Sequence, residues 1–180
     1  MWPLLFLLTT SADAGEIPEP SVSAILSGSE IEVKSSIVLP VKPCTAYAML
    51  TDYDDLPQFI PGLVESRSHR ISSHLYDVLQ VGEVPVFIFN MKMTSLLEMK
   101  ETPDRKITFR QIRGDFASYE GEWDFSKEKA GTLVRYSANM RFKPYVPLLL
   151  ARSILDEDVK EKFAAIGRES VDRKHLFECS

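Results

Sequence analysis

Tyrosine is the residue type with usable chemistry that recurs on the apolar faces of this chain. Tyr76, Tyr119 and Tyr136 each carry a phenol, which donates one hydrogen bond, accepts others and stays neutral near neutral pH. Ser95 and Gln111 share that kind of position. Such groups can hold the oxygen of a bound molecule. Taken singly, each more often satisfies a neighbouring backbone group.

Other chemistry is thin. His69, His74 and His175 are scattered, with polar neighbours and no metal-ligand spacing. The chain has no G-x-S-x-G elbow, no H-E-x-x-H, no phosphate loop and no glycine-rich dinucleotide turn. The acidic clusters Asp52/Asp54/Asp55 and Asp156/Glu157/Asp158 read as helix caps and solvated turns, so no metal is assigned. A proton-moving enzyme needs charged or hydroxyl groups facing inward, and the inward sets supply tyrosines and little else. The reading therefore leans toward binding, with no catalytic residue and no cofactor.

The candidate binding surface is an apolar stripe. Phe87, Phe89, Met91, Met93 and Met99 alternate along one strand and face Tyr119, Trp123, Tyr136, Met140 and Phe142 on two others. Leu155 and Val159 on a long helix complete the set. Each residue alone is ordinary core material. As a group they describe an adaptable apolar pocket, because methionine conforms to varied surfaces.

The elements that must position these residues can be read in order. A half-buried strand spans 29–39, and Pro40 and Pro43 stop it. A short helix over 43–51 follows, then a second short turn ending at Pro61-Gly62. Six strands come next, at 63–71, 75–84, 87–100, 106–113, 116–126 and 133–143. Gly114-Asp115 is expected as a two-residue hairpin turn. A helix over 147–173 closes the chain, with Leu148, Ala151, Leu155, Val159, Phe163, Ile166 and Ser170 in one stripe. The fold class is α+β, a curved antiparallel sheet of about seven strands wrapped around the C-terminal helix.

Length and composition suit one domain of 180 residues, 44% hydrophobic, with a formal charge of −5. That balance gives no global attraction to nucleic acid. Residues 1–14 read as a signal peptide, with an apolar Met1 to Leu8 and the small-x-small Ala12-Asp13-Ala14, although no Lys or Arg precedes Lys34. A genuine leader implies export to the periplasm or medium; without it the location is cytoplasmic. Residues 15–28 read as a flexible lead-in, 29–173 as the ligand-binding domain and 174–180 as a tail. Cys44 and Cys179 can pair in an oxidising compartment. The preferred reading is one half-buried thiol and one free thiol on a frayed tail.

Three stretches carry a resemblance. Residues 46–62, AYAMLTDYDDLPQFIPG, are similar to the aromatic-x-x-(hydrophobic)-x-D segment and the P-x-F-(hydrophobic)-P ending found in the START-like superfamily, also called SRPBCC or helix-grip proteins. Tyr119-Glu120-Gly121-Glu122-Trp123 resembles its x-G-x-W strand, and Val146-Pro147 with Ile154-Leu155 and Asp158 resembles its last helix. Within the superfamily the chain looks nearest to the polyketide cyclase/dehydrase and coenzyme Q-binding lipid-transport group. The resemblance implies a cavity between sheet and helix. It also implies a hydrophobic small molecule as partner, a lipid or quinone-like compound held without catalysis. The alternatives are a polyketide-type cyclase or dehydrase using cavity tyrosines, and a ribosome-associated interaction module. Arg105, Lys106, Arg110 and Arg113, with Arg67 and Arg70, allow transient contact with an anionic membrane surface, against the default of a solvated strand face.

Overall fold

The computed structural model describes residues 19–86, 89–143, 148–173 and Cys179, and the backbone alone at 84–86, 89 and 148–155. Eight strands form one antiparallel sheet. They are β1 (Ser21–Ser27), β2 (Glu30–Leu39), β3 (Leu63–Ser72), β4 (Leu75–Val86), β5 (Phe89–Thr102), β6 (Lys106–Gly114), β7 (Ser118–Glu128) and β8 (Gly131–Arg141). Their spatial order is β1-β2-β8-β7-β6-β5-β4-β3. Strands β3 to β8 are a meander of hairpins, and β2 returns to pair with β8, for example Ile31 with Met140 and Ile37 with Val134. Between β2 and β3 lie helix α1 (Pro43–Thr51) and the 3-10 turn Leu56–Gln58; helix α2 (Leu148–Asp172) follows the sheet.

The alternation that makes these strands also makes the core. On β2, Ile31, Val33, Ile37 and Leu39 are buried while Glu30 and Lys34 are exposed. On β8, Val134, Tyr136, Ala138 and Met140 point inward. Helix α2 contributes Val159, Phe163, Ile166 and Ser170, all buried at steps of three and four. Burying a side chain such as Phe163 or Ile166 stabilises the fold by about 1.5–3 kcal/mol. The end of α2 is tied down by Arg173, which bonds Asp55 and Gln58 and lies over the Phe59 ring at 5.6 Å.

Three expectations need correction. The lead-in is not loose over its whole length: β1 pairs with β2 through a two-residue turn at Gly28, whose φ is +61°. Ala24 is buried and Val22 and Leu26 half-buried, but the exposed Ile25 blurs the alternation. Gly114-Asp115 is not a two-residue turn. Gly114 ends β6 paired with Ser95, and Asp115–Ala117 make the connection. Asp115 reaches back to β5, accepting from Thr94 N–H at 2.7 Å while its own N–H donates to Thr94 C=O. This places Ala117 at an exposed site rather than on the inward face.

The third correction concerns the cysteines. Cys44 and Cys179 form a disulfide with Cα atoms 6.1 Å apart, fastening the C-terminal end to α1. Position next to the chain end argued for a frayed thiol. A cross-link spanning 135 residues, however, removes much conformational freedom from the unfolded chain.

Candidate functional site: an apolar cavity with two tyrosine clusters

Sheet curvature leaves space that α2 does not fill. A cavity of about 250 Å³ lies between them. The sheet supplies Met93, Leu97 and Met99 from β5, Ile107 and Phe109 from β6, Tyr119 and Trp123 from β7, and Tyr136 and Met140 from β8. Val159, Phe163 and Ile166 of α2 form the opposite wall. Leu50 of α1 and the turn residues Tyr53, Leu56 and Ile60 close one end.

Aromatic rings set much of the wall's shape. Trp123 stacks on Phe163 across the sheet–helix gap, with centroids 5.4 Å apart and planes at 14°. Phe109 stacks on Tyr136 at 6.0 Å and meets Tyr119 edge-on at 5.0 Å. Gly121 makes room for this, because a Cβ there would collide with the Phe109 ring and with Ser137 O.

Polar groups occur at three places. The first is within the cavity wall, where Tyr119 Oη and Tyr136 Oη are hydrogen-bonded to each other at 3.0 Å. Burial pushes both phenols up from their ordinary pKa, and the charge of Asp158 adds to this. Their mutual bond lowers the pKa of Tyr119 and raises that of Tyr136, so both stay protonated across the physiological range. The second is the mouth, where Gly62, Glu83, Asp158 and Lys162 border the cavity. Asp158 and Lys162 pair one turn apart, each only partly exposed. Gly62 sits at φ +72°, and a Cβ there would come 2.9 Å from Glu83 O, so the mouth favours glycine on two counts.

The third group lies under the α1 end. Tyr47 Oη donates to Glu101 Oε2 at 2.7 Å, and Tyr53 Oη donates to Glu101 Oε1 at 2.8 Å. Glu101 is only 8% exposed. Burial, followed by the bond to Glu101 and its charge, raises both phenol pKa values far above the usual range. This carboxylate escaped the reading of the sequence. Yet the inward parity of Met93, Ser95, Leu97 and Met99 runs straight on to position 101.

The structure gathers most of the expected site. Met93, Met99, Tyr119, Trp123, Tyr136, Met140 and Val159 all line the cavity. Phe142 does not line it; it packs on Phe116, which does, at 5.2 Å. Met91 is half-buried and off the lining. Phe87 and the side chains of Phe89 and Leu155 lie outside the described residues. Of the proposed anchors, Ser95 lines the cavity and donates to Gln111 Oε1 at 3.0 Å, so Gln111 stands behind the wall. Tyr76 packs against Tyr53 at 5.8 Å instead of facing the cavity. Missed lining residues include some from α1, the turn after it, β4 and β6, with Leu97 of β5 and Phe163 and Ile166 of α2. Ile107 and Phe109 share one parity on β6 and were available to the same alternation argument.

Three of the basic residues on the strand faces are paired with acids. Arg110 pairs with Glu98 at 2.8 Å, Lys106 with Glu122 at 3.0 Å and Arg67 with Glu65 at 2.8 Å. Among the acidic residues, Asp54 accepts from Ser68 N–H at 2.6 Å and Asp55 pairs with Arg173. Among the described residues, no helix is long and apolar enough to cross a membrane.

An antiparallel sheet curved around a C-terminal helix, with an apolar cavity between them, defines a helix-grip protein of the START type. The family described as "Polyketide cyclase / dehydrase and lipid transport" matches residues 39–164, and the chain belongs to it. No curated protein sequence matches. Among solved structures, the chain is similar to a STAR-related lipid transfer protein from Xanthomonas axonopodis. That match has a TM-score of 0.66 at 17% identity, covering 88% of this chain and 97% of the other. It is also similar to a START superfamily protein from Mycobacterium smegmatis, with TM-score 0.67 and 13% identity over 78% and 97% of the two chains. The Zhui aromatase/cyclase from Streptomyces sp. R1128 gives TM-score 0.67 and 13% identity over 80% and 95%. At these identities the likeness is one of fold.

Proposed function

We propose that this protein binds and carries a hydrophobic small molecule, a lipid or quinone-like compound, without transforming it. The observation that carries the reading is the cavity wall. It is apolar on both the sheet and the helix side, and its polar groups are neutral phenols, Ser95, Gln80 and a polar mouth. Apolar cavities of this kind bind by removing a guest's surface from water, at about 25 cal/mol per Å² buried. In this reading the guest enters and leaves past Gly62, Glu83, Asp158 and Lys162, which border the cavity. Family membership supports the reading, because lipid transport is part of the family's description. Native mass spectrometry of the protein after organic extraction and exposure to a broad lipid panel tests it. The expected result is a one-to-one adduct with at least one apolar compound; uptake of none contradicts the proposal.

A second reading rests on the tyrosine pair. A phenol at hydrogen-bond distance from a second phenol inside an apolar cavity can pass a proton to a bound carbonyl, and the aromatase/cyclase likeness is one of fold. Conversion of a polyketide-like substrate, lost in both Tyr119→Phe and Tyr136→Phe, would favour the cyclase. Unchanged recovery of every bound compound supports the carrier.

A further inference from the structure

We infer that the tyrosine pair is a recognition subsite, selecting a compact, uncharged guest that presents one acceptor oxygen and rejecting guests with a buried carboxylate. This rests on the binding function proposed above and names the ligand class for that same cavity.

The argument begins with hydrogen-bond accounting. Each phenol has one proton to donate. The bond between Tyr119 and Tyr136 consumes one of the two, and among the described residues neither phenol has another hydrogen-bond partner. One O–H therefore remains unspent in the wall. Of the other donors there, Tyr53 is committed to Glu101 and Ser95 to Gln111, and Lys162 pairs with Asp158 at the mouth; the Trp123 indole N–H, also in the wall, is a single donor that stands apart from the phenol pair. The Gln80 amide is half-exposed on β4 and within reach of water. A guest oxygen that accepts from the tyrosine pair satisfies this unspent phenol, which water would otherwise have to serve.

Charge is selected against. Asp158 and Lys162 at the mouth are paired with each other, so the cavity border offers an anionic guest no unmet positive charge. A carboxylate seated against Trp123 and Phe109 would lose its hydration with no cation to replace it.

Size follows from the volume. An engineered protein cavity of about 150 Å³ accommodates benzene. By proportion, the 250 Å³ found here holds about ten non-hydrogen atoms, the bulk of two fused rings. The stacked rings of Trp123 and Phe163 offer such a guest flat walls.

Calorimetric titration of the full-length oxidised protein with three two-ring probes tests the inference: 1-tetralone, tetralin and 2-naphthoate. The ketone should bind about fivefold more tightly than the hydrocarbon, the worth of one hydrogen bond. The carboxylate should bind at least about tenfold more weakly than the ketone. In Tyr119→Phe/Tyr136→Phe, tetralin should bind as in the parent and the ketone's advantage should vanish. Each single variant keeps one phenol, released from its neighbour, and should retain the preference. The parent comparison needs no variant, so a folding defect cannot decide the outcome. Equal binding of tetralone and tetralin overturns the subsite while leaving the cavity's binding role intact. So does 2-naphthoate binding as tightly as the ketone, or failure of all three probes while lipids from the panel are taken up. Failure of probes and lipids alike overturns the binding function itself.

Discussion

The interior holds two pairs of tyrosines, and the contrast between them separates scaffold from site. Tyr47 and Tyr53 both donate to one carboxylate, Glu101, so every proton they carry is used. Tyr119 and Tyr136 bond only to each other, so one proton is left over. The first pair links α1 and the turn after it to β5, far apart in sequence, and its chemistry is closed. The second pair has unspent capacity, and it faces the cavity. Burial raises the pKa of all four phenols, so a shifted pKa by itself does not tell the two apart. The hydrogen-bond inventory does.

Breaking the closed pair should cost most. Glu101→Ala strands the buried phenol of Tyr53 and the half-buried one of Tyr47, and hydrogen bonds to a carboxylate are worth about 1.5–3 kcal/mol each. Urea unfolding should show a loss of about 3–5 kcal/mol; a loss under 1 kcal/mol would mean that the cluster is not holding α1 in place. Next comes the covalent link at the same end of the molecule. Cys44→Ser/Cys179→Ser, or reduction of the parent, should cost about 2–4 kcal/mol. The melting temperature should fall by roughly 5–15 °C. An unchanged melting curve after verified reduction would count against any structural role for the link.

Alkaline titration probes both pairs together. A phenol whose pKa is higher folded than unfolded contributes stability that is whole below its unfolded pKa, near 10, and is lost as pH rises toward its folded value. Phenolate absorbance from Tyr47, Tyr53, Tyr119 and Tyr136 should therefore appear only as the fold opens, above about pH 10. Early, reversible ionisation of these four in a folded protein would contradict their burial. Smallest of all, Tyr119→Phe/Tyr136→Phe exchanges one internal bond for none and leaves no donor stranded. Its stability should stay within about 1 kcal/mol of the parent, in contrast to Glu101→Ala.

Much of this was legible in the sequence, for reasons that differ by element. Period-two alternation located β2 and the meander, and steps of three and four located α2, because half-buried elements write their buried face into the chain. The β7 and β8 stripes pointed to Tyr119, Trp123, Tyr136 and Met140 as cavity wall. What stayed hidden depends on contacts between distant residues. Glu101 is an acid at a buried position, understandable only once Tyr47 and Tyr53 arrive from α1 and the turn beyond it. The sequence offered both a Cys44–Cys179 pair and two separate thiols, and only the fold, which brings the Cα atoms within 6.1 Å, decides between them. Strand β1 was masked by Ile25, an apolar side chain on the solvent side at 51% exposure. Leu50, Leu56 and Ile60 reach the cavity because α1 and its turn cap one end of the sheet, a placement with no signature in local periodicity.

The central claim is that the space between the sheet and α2 is a seat for an apolar guest. Calorimetric titration of 1-tetralone into the parent and into Val159→Trp, repeated at several temperatures, tests it most directly. Val159 lines the cavity and is 8% exposed, so an indole there takes up guest volume. The account predicts one site in the parent with a negative heat-capacity change, the mark of apolar burial, and affinity at least about tenfold weaker in the variant. Equal affinity in the two proteins, or binding without a heat-capacity change, would contradict it.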